Sequence, residues 1–228
     1  MKTWRTSVVA VTAASSVLFR AQATGQVEET FSTAPIVTAG LGVLYFNPQD
    51  VVNTINGSGL TAGHAEDFKA YAEFFGCAAF PLSRAWVLVA DYAYILGSYN
   101  LPGIFGPGEF TCTIHAPSVL LLYALWQEPL FAIRGGVGAG YHFGALHARV
   151  GTLDDTYRGK GPGFLLNLDG NTALGDRLSA YLGLFARWEA IGELTDEAGS
   201  SLEGPQGLPP PTLNGFGVGA KLGVSYMF

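Results

Sequence analysis

The sequence predicts an all-β protein: a closed, up-and-down barrel of eight antiparallel strands that crosses a bilayer with strands rather than helices. Three observations carry this. Hydrophobic residues make up 49% of the 228 residues and mean hydropathy is +0.28. Even so, past the N-terminal segment no apolar run approaches the roughly 18 residues a spanning helix needs. Glycine, with 31 residues, is about double its usual ~7% share. The apolar residues alternate with small or polar ones at period two, the spacing of a strand with one apolar face. Charged residues are only 13% and acids outnumber bases 18 to 12. That balance argues against a nucleic-acid binder, which would be basic, and the low charge argues against a disordered chain.

Residues 1–23 read as a cleaved secretory signal, leaving a barrel domain over 24–228. Lys2 and Arg5 make a positive start, Ser7 to Phe19 is mostly apolar, and Ala21-Gln22-Ala23 offers a small-x-small cleavage site. The alternative is an amphipathic N-terminal helix that stays on the protein. Cleavage would remove three bases and no acids, leaving nine bases against 18 acids.

The strands then follow in order, at roughly 36–46, 68–80, 86–97, 110–125, 130–146, 162–171, 177–190 and 216–228. The last is the clearest. Its even positions read Phe216, Val218, Ala220, Leu222, Val224, Tyr226 and Phe228, against Gly217, Gly219, Lys221, Gly223, Ser225 and Met227. Each segment reaches the ~9–11 residues a tilted spanning strand needs. Connections at 81–85, 127–129 and 171–176 are short, while those at 47–67, 98–109, 149–161 and 191–214 are long. Short turns on one side and long loops on the other are the pattern of an up-and-down transmembrane barrel.

Propagating the alternation places nearly every strand charge on the face opposite the apolar one. The inward set holds four bases, Lys69, Arg134, Arg187 and Lys221, and four acids, Glu73, Asp91, Asp169 and Glu189. A base on the lipid face would cost about 2–4 kcal/mol at the midplane, whereas opposite charges in a lumen can pair. With Tyr71, Phe75 and Tyr181 also inward, the expected lumen is plugged, since an eight-stranded barrel is just wide enough for side chains to fill. A soluble sandwich would instead put these charges on a solvated face. Strand four does not fit one parity: Thr111, Thr113 and His115 read as inward, but past Pro117 the lipid-like set becomes Val119, Leu121, Tyr123 and Leu125. A bulge near Pro117 would reconcile the halves.

These features resemble the small eight-stranded outer-membrane barrels, the group of the OmpA transmembrane domain and OmpX. Tyr226-Met227-Phe228, with Leu222 and Val224 at alternate positions before it, is similar to the family's C-terminal assembly signal. Arg134-Gly135-Gly136-Val137-Gly138-Ala139-Gly140-Tyr141 is similar to one of its glycine-rich strands. The resemblance spans the mature chain and is architectural. It implies folding by the outer-membrane assembly machinery of a Gram-negative-type envelope, outer-membrane lipids as surroundings, and a monomer. Unlike full-length OmpA, no residues follow the last strand to form a periplasmic domain.

Site chemistry is sparse. Cys77 and Cys112 fall at opposite ends of non-neighbouring strands, beyond the ~7 Å Cα separation that a disulfide tolerates, so both are expected as free thiols. A lipid-modifying enzyme would need Ser, His and an acid converging at the outer rim. Ser118 lies three residues from His115, on the opposite face unless a bulge intervenes, and no His-x-Ser pair occurs among His64, His115, His142 and His147. No cluster has metal-ligand spacing, and Gly136-Val137-Gly138 lacks the following helix of a phosphate loop. Acidic groups at Asp50, Glu66, Asp67, Glu193, Asp196, Glu197 and Glu203 mark the long loops. The expectation is a non-enzymatic barrel without metal, cofactor or nucleic acid, with a structural or surface-recognition role through those loops. The alternatives are a small channel for apolar solutes, a lipid-modifying enzyme, and a soluble periplasmic sandwich or lipocalin-like binder.

Overall fold

In the computed structural model, residues 34–57, 63–66, 69–103, 106–201 and 210–228 are described; the expected signal at 1–23, Asp67 and Glu203 lie outside them. Eight strands occur: β1 (Ile36–Asn47), β2 (Lys69–Pro81), β3 (Trp86–Gly103), β4 (Gly106–Gln127), β5 (Phe131–Val150), β6 (Leu153–Ala173), β7 (Leu178–Glu193) and β8 (Thr212–Met227). Each pairs antiparallel with its sequence neighbours, and β1 pairs with β8, so the sheet is a closed barrel. Following paired residues once around runs from Ile36 through Ala79, Val89, Leu120, Gly138, Leu165, Arg187 and Gly217. The path returns to β1 at Phe46, ten residues along. At ~3.3 Å per residue and ~4.8 Å between eight strands, that offset tilts the strands by roughly 40°.

The outward face is apolar and graded. Tyr45, Phe74, Tyr92, Tyr141, Phe143, Phe164, Trp188 and Phe216 are exposed toward the long-connection end, and Phe80, Trp86, Tyr123, Trp126, Tyr226 and Phe228 toward the short-turn end. Between them lie exposed Leu41, Val43, Leu88, Val119, Leu121, Val137, Leu166, Leu182, Leu184, Leu222 and Val224. The ten residues from Phe216 to Tyr226 on β8, at the rise and tilt above, separate the two aromatic girdles by about 25 Å.

Three expectations are corrected. The connections expected as long loops at 98–109 and 149–161 are mostly strand: β3 and β4 stay paired out to Gly103 and Gly106, and β5 and β6 out to Val150 and Leu153. The β5–β6 turn is two residues, and its first, Gly151, has φ +60°, the position where a tight hairpin requires glycine. Strand four keeps a single parity through Pro117. Phe110, Cys112, Ile114, Ala116, Ser118, Leu120 and Leu122 are buried inward, and Thr111, Thr113 and His115 face outward. His115 takes part in an outer cluster, accepting or donating to the Tyr92 hydroxyl at 2.7 Å. The register with β5 is unchanged across Pro117, where two pairs are missing because proline has no N–H to give. The shift lies lower, between Ala124 and Trp126.

The expected loop at 47–67 contains a helix, α1 (Gln49–Gly57). The Pro48 carbonyl accepts the Val52 N–H at 3.0 Å, Asp50 sits in the first turn where the helix dipole favours an anion, and Val51, Val52 and Ile55 are buried. These side chains join Leu44, Phe46, Tyr71, Ile95, Tyr99, Phe110, Ile114, Leu146, Ile191 and Leu213 in one apolar cluster that fills the long-connection half of the barrel, called here its outer half. Asn56 holds the return segment in place, donating to the Ala65 carbonyl at 3.1 Å and accepting its N–H at 2.7 Å. Asp50 also accepts from Thr212. A smaller apolar cluster of Ala79, Val87, Val89, Leu120 and Leu122 lies near the short-turn end. Cys77 and Cys112 are free thiols.

Candidate functional site

Between the two apolar clusters the interior is polar, and period-two geometry sets its make-up: every second residue of a strand points in. β2 contributes Glu73, β3 Asp91, β4 Ser118, β5 Arg134 and His142, β6 Asn167 and Asp169, β7 Arg187 and Glu189, and β8 Lys221. All of these are buried except Arg134, which is nearly so.

Seven of them connect into one chain, which ends on Ser118. Lys221 Nζ lies 3.8 Å from Asp91 Oδ2 and 2.8 Å from Glu73 Oε1. Arg187 reaches Glu73 at 3.6 Å with one nitrogen and Glu189 at 3.3 Å with another. Glu189 bonds His142 Nδ1, and His142 Nε2 lies 3.0 Å from Ser118 Oγ. Lys221 also stands over the rings of Phe75 and Phe185, 4.9 and 4.8 Å from their centroids, which replaces part of its lost hydration by cation–π attraction. Arg134 and Asp169 form a separate pair at 3.2 Å, with Asn167 donating to Asp169 at 3.3 Å.

Of the eight charges expected together, Lys69 stands apart. It is half-buried at the outer end, where its ammonium donates to the Ser98 carbonyl and lies over the Tyr99 ring, 4.6 Å from the centroid. The set that the sequence did not assemble is Ser118, His142 and Glu189. Parity alone places both inward, Ser118 because Val119 and Leu121 face out and His142 because Tyr141 and Phe143 do, but spacing along the chain compares Ser118 only with His115 on its own strand. A single parity puts both side chains inside on adjacent strands, and the Ser118–Gly140 register brings them within bonding distance. Glycine makes the room: a Cβ at Gly140 would stand 2.7 Å from His142 Nε2 and 2.8 Å from Ser118 Oγ, and one at Gly163 would collide with the His142 ring.

Serine, histidine and carboxylate in series are the hydrogen-bond order of a hydrolase triad. Acyl transfer also needs space beside the nucleophile for a carbonyl carbon and donors for the oxyanion. Here Ser118, His142 and Glu189 are buried in the barrel interior. The narrow interior cavity at the short-turn end is lined by Asp91, Arg134, Asp169, Tyr181 and Lys221 and does not extend to Ser118. Among the described residues no group of three or more His, Cys, Asp or Glu could hold a metal ion. The terminal residues Leu222, Val224, Tyr226 and Phe228 all face outward at the short-turn end of β8 or just past it. Phe228 N–H donates to the Pro35 carbonyl at 3.3 Å, and Tyr226 packs edge-on to Phe228 at 5.2 Å.

The fold is that of outer-membrane β-barrel proteins of Gram-negative bacteria. Ail, the attachment invasion locus protein of Yersinia pestis, solved with the heparin analogue sucrose octasulfate, superposes with a TM-score of 0.52 at 7% identity, covering 86% of this chain and 100% of Ail. Neisserial surface protein A matches with a TM-score of 0.53 at 11% identity, over 85% of this chain and 97% of that one. OprG of Pseudomonas aeruginosa matches at 0.52 and 12%, over 86% and 96%. At such identities the likeness is one of fold. No family model and no curated protein sequence matches the chain.

Proposed function

We propose that this chain is a monomeric, non-enzymatic and non-conducting outer-membrane barrel. Its signal at 1–23 is removed on export, its strands span the outer membrane, and it acts in envelope integrity or surface recognition through its outer end. The observation that carries this is the filled interior. An apolar plug under α1 closes the outer half, and a chain of ion pairs crosses the middle. The membrane assignment is supported by the two aromatic girdles, whose spacing equals the ~25 Å apolar band of outer-membrane barrels. Outer-membrane lipids and the assembly machinery are the partners on this reading, with Leu222, Val224, Tyr226 and Phe228 as the assembly signal. The buried charges act structurally, fixing the strands around the lumen. Surface recognition would use the β3–β6 wall, which continues past the outer girdle with Thr111, Thr113, Asp154, Thr156 and Lys160 pointing outward.

Protein extracted from membranes is expected to migrate faster in SDS gels unheated than boiled, and to give no stable single-channel conductance in planar bilayers. Discrete, reproducible conductance steps would overturn the non-conducting reading. Absence of any heat-dependent mobility, with solubility in the absence of detergent, would point instead to a soluble sandwich.

The Ser118–His142–Glu189 series favours a second reading, a hydrolase. A fluorophosphonate probe, which captures activated serines, separates the two. No labelling of the folded protein is expected. Labelling abolished by Ser118→Ala would make the series catalytic.

A further inference from the structure

The connected chain in the middle of the barrel does not balance in charge from its carboxylates and fixed cations alone. It contains three acids, Asp91, Glu73 and Glu189, and two bases, Lys221 and Arg187. Each base is shared: Lys221 serves Asp91 and Glu73, and Arg187 serves Glu73 and Glu189. Arg134 neutralises only Asp169, and Lys69 lies away at the outer end on the Ser98 carbonyl. One carboxylate equivalent is therefore left over among buried groups, where an uncompensated charge is expensive.

We propose that the barrel interior binds one proton as a permanent ligand, held on His142 as an imidazolium. Both ring nitrogens then donate: Nδ1–H to the Glu189 carboxylate, which can only accept, and Nε2–H to Ser118 Oγ. The Ser118 hydroxyl is free to donate to the Ala116 carbonyl, 3.5 Å away, so its oxygen can receive. The cation thus completes a set of three acids and three bases. The groups that face the ring support this placement. β4 presents Ser118, β6 presents the bare backbone of Gly163, and β7 presents Glu189 with Arg187 behind it. Among the described residues the ring's charged hydrogen-bond partner is an acid, Glu189, and no base is bonded to it. This gives Ser118 a receiving role in place of a nucleophilic one. The inference does not depend on the bilayer, so its failure would leave the membrane reading untouched.

Nitrogen-15 NMR of histidine-labelled full-length protein, folded in detergent micelles at neutral pH, tests it directly. The variant His64→Gln/His115→Gln/His147→Gln leaves His142 as the single histidine and removes no interior contact. Both ring nitrogens are expected at protonated-type shifts, with attached protons that exchange slowly. One pyridine-type nitrogen would overturn the proposal and place the proton elsewhere. A stability cycle gives a second readout. His142→Gln should lower the folding equilibrium constant about 100-fold. Adding Glu189→Gln, which removes the stranded charge, should recover at least about tenfold of that. No recovery would mean that His142 serves by packing alone, and would also overturn the proposal.

Discussion

Arg187→Ala is expected to destabilise the barrel by about 3–5 kcal/mol, read as a fall in the urea midpoint of the protein refolded into lipid vesicles. Among the described residues Arg187 is the largest fully buried side chain. It sits between Glu73 at 3.6 Å and Glu189 at 3.3 Å, with its guanidinium 5.7 Å from the centroid of the Phe185 ring. Truncation leaves both carboxylates in a region water does not reach, with Lys221 already shared between Glu73 and Asp91. Arg187→Lys keeps the charge but loses the fork that reaches two partners at once, so it should fall between wild type and Ala. Arg158→Ala provides the contrast. It removes an exposed ion pair with Glu197 at 3.1 Å, and such pairs contribute little in water, so its midpoint should match wild type within error. A midpoint for Arg187→Ala as close to wild type as that of Arg158→Ala would show that the interior network does not hold the strands.

The strand count and the apolar outward face were legible because both follow from period-two alternation. The misreadings share one physical cause. Polar-in and apolar-out holds only across the middle of the barrel. Toward the long-connection end the interior is an apolar plug and the outward face turns polar, so the pattern inverts without any change of parity. Thr111, Thr113 and His115 point out, while Phe110, Cys112 and Ile114 point in. Read with the lipid rule, that inversion resembles a bulge on β4, and on β3, β5 and β6 it resembles the start of a loop. The same inversion made Asn47–Asp67 read as a loop, although Val51, Val52 and Ile55 have helical spacing and fit the apolar mouth.

The interior site was legible only as a list. Inward parity gives which side chains enter the lumen, but which of them meet is set by the ten-residue stagger around the barrel, and no single strand encodes that. Glu73 and Lys221 lie 148 positions apart in sequence, from 73 to 221, yet touch at 2.8 Å. Lys69, on the same strand and the same face as Glu73, meets a backbone carbonyl and a tyrosine ring instead. The Ser118–His142 contact requires the register of β4 on β5, which spacing along one strand does not supply.

Gly163→Ala is expected to cost about 3 kcal/mol, the upper end of what overpacking a well-filled interior produces. The added methyl would collide with Cε1 and Nδ1 of His142 and lie 2.7 Å from Glu189 Oε2. The ring cannot withdraw toward β4, because Ser118 Oγ already stands 3.0 Å from its other nitrogen and the floor on that side is the backbone at Gly140. Moving the ring breaks its bond to Glu189 and strands a buried acceptor, which adds to the steric cost. The effect is specific to the histidine, and a cycle with His142→Ala exposes it. In that background the methyl enters vacated space, so the two losses should be strongly non-additive. Gly175→Ala, in the β6–β7 turn with nothing within 4 Å of the new Cβ, controls for the loss of glycine as such and should leave the urea midpoint unchanged. If Gly163→Ala is as stable as Gly175→Ala, the slot between β4 and β6 is wider than the ring requires. Additive losses in the cycle would place the strain on the strand backbone and away from His142.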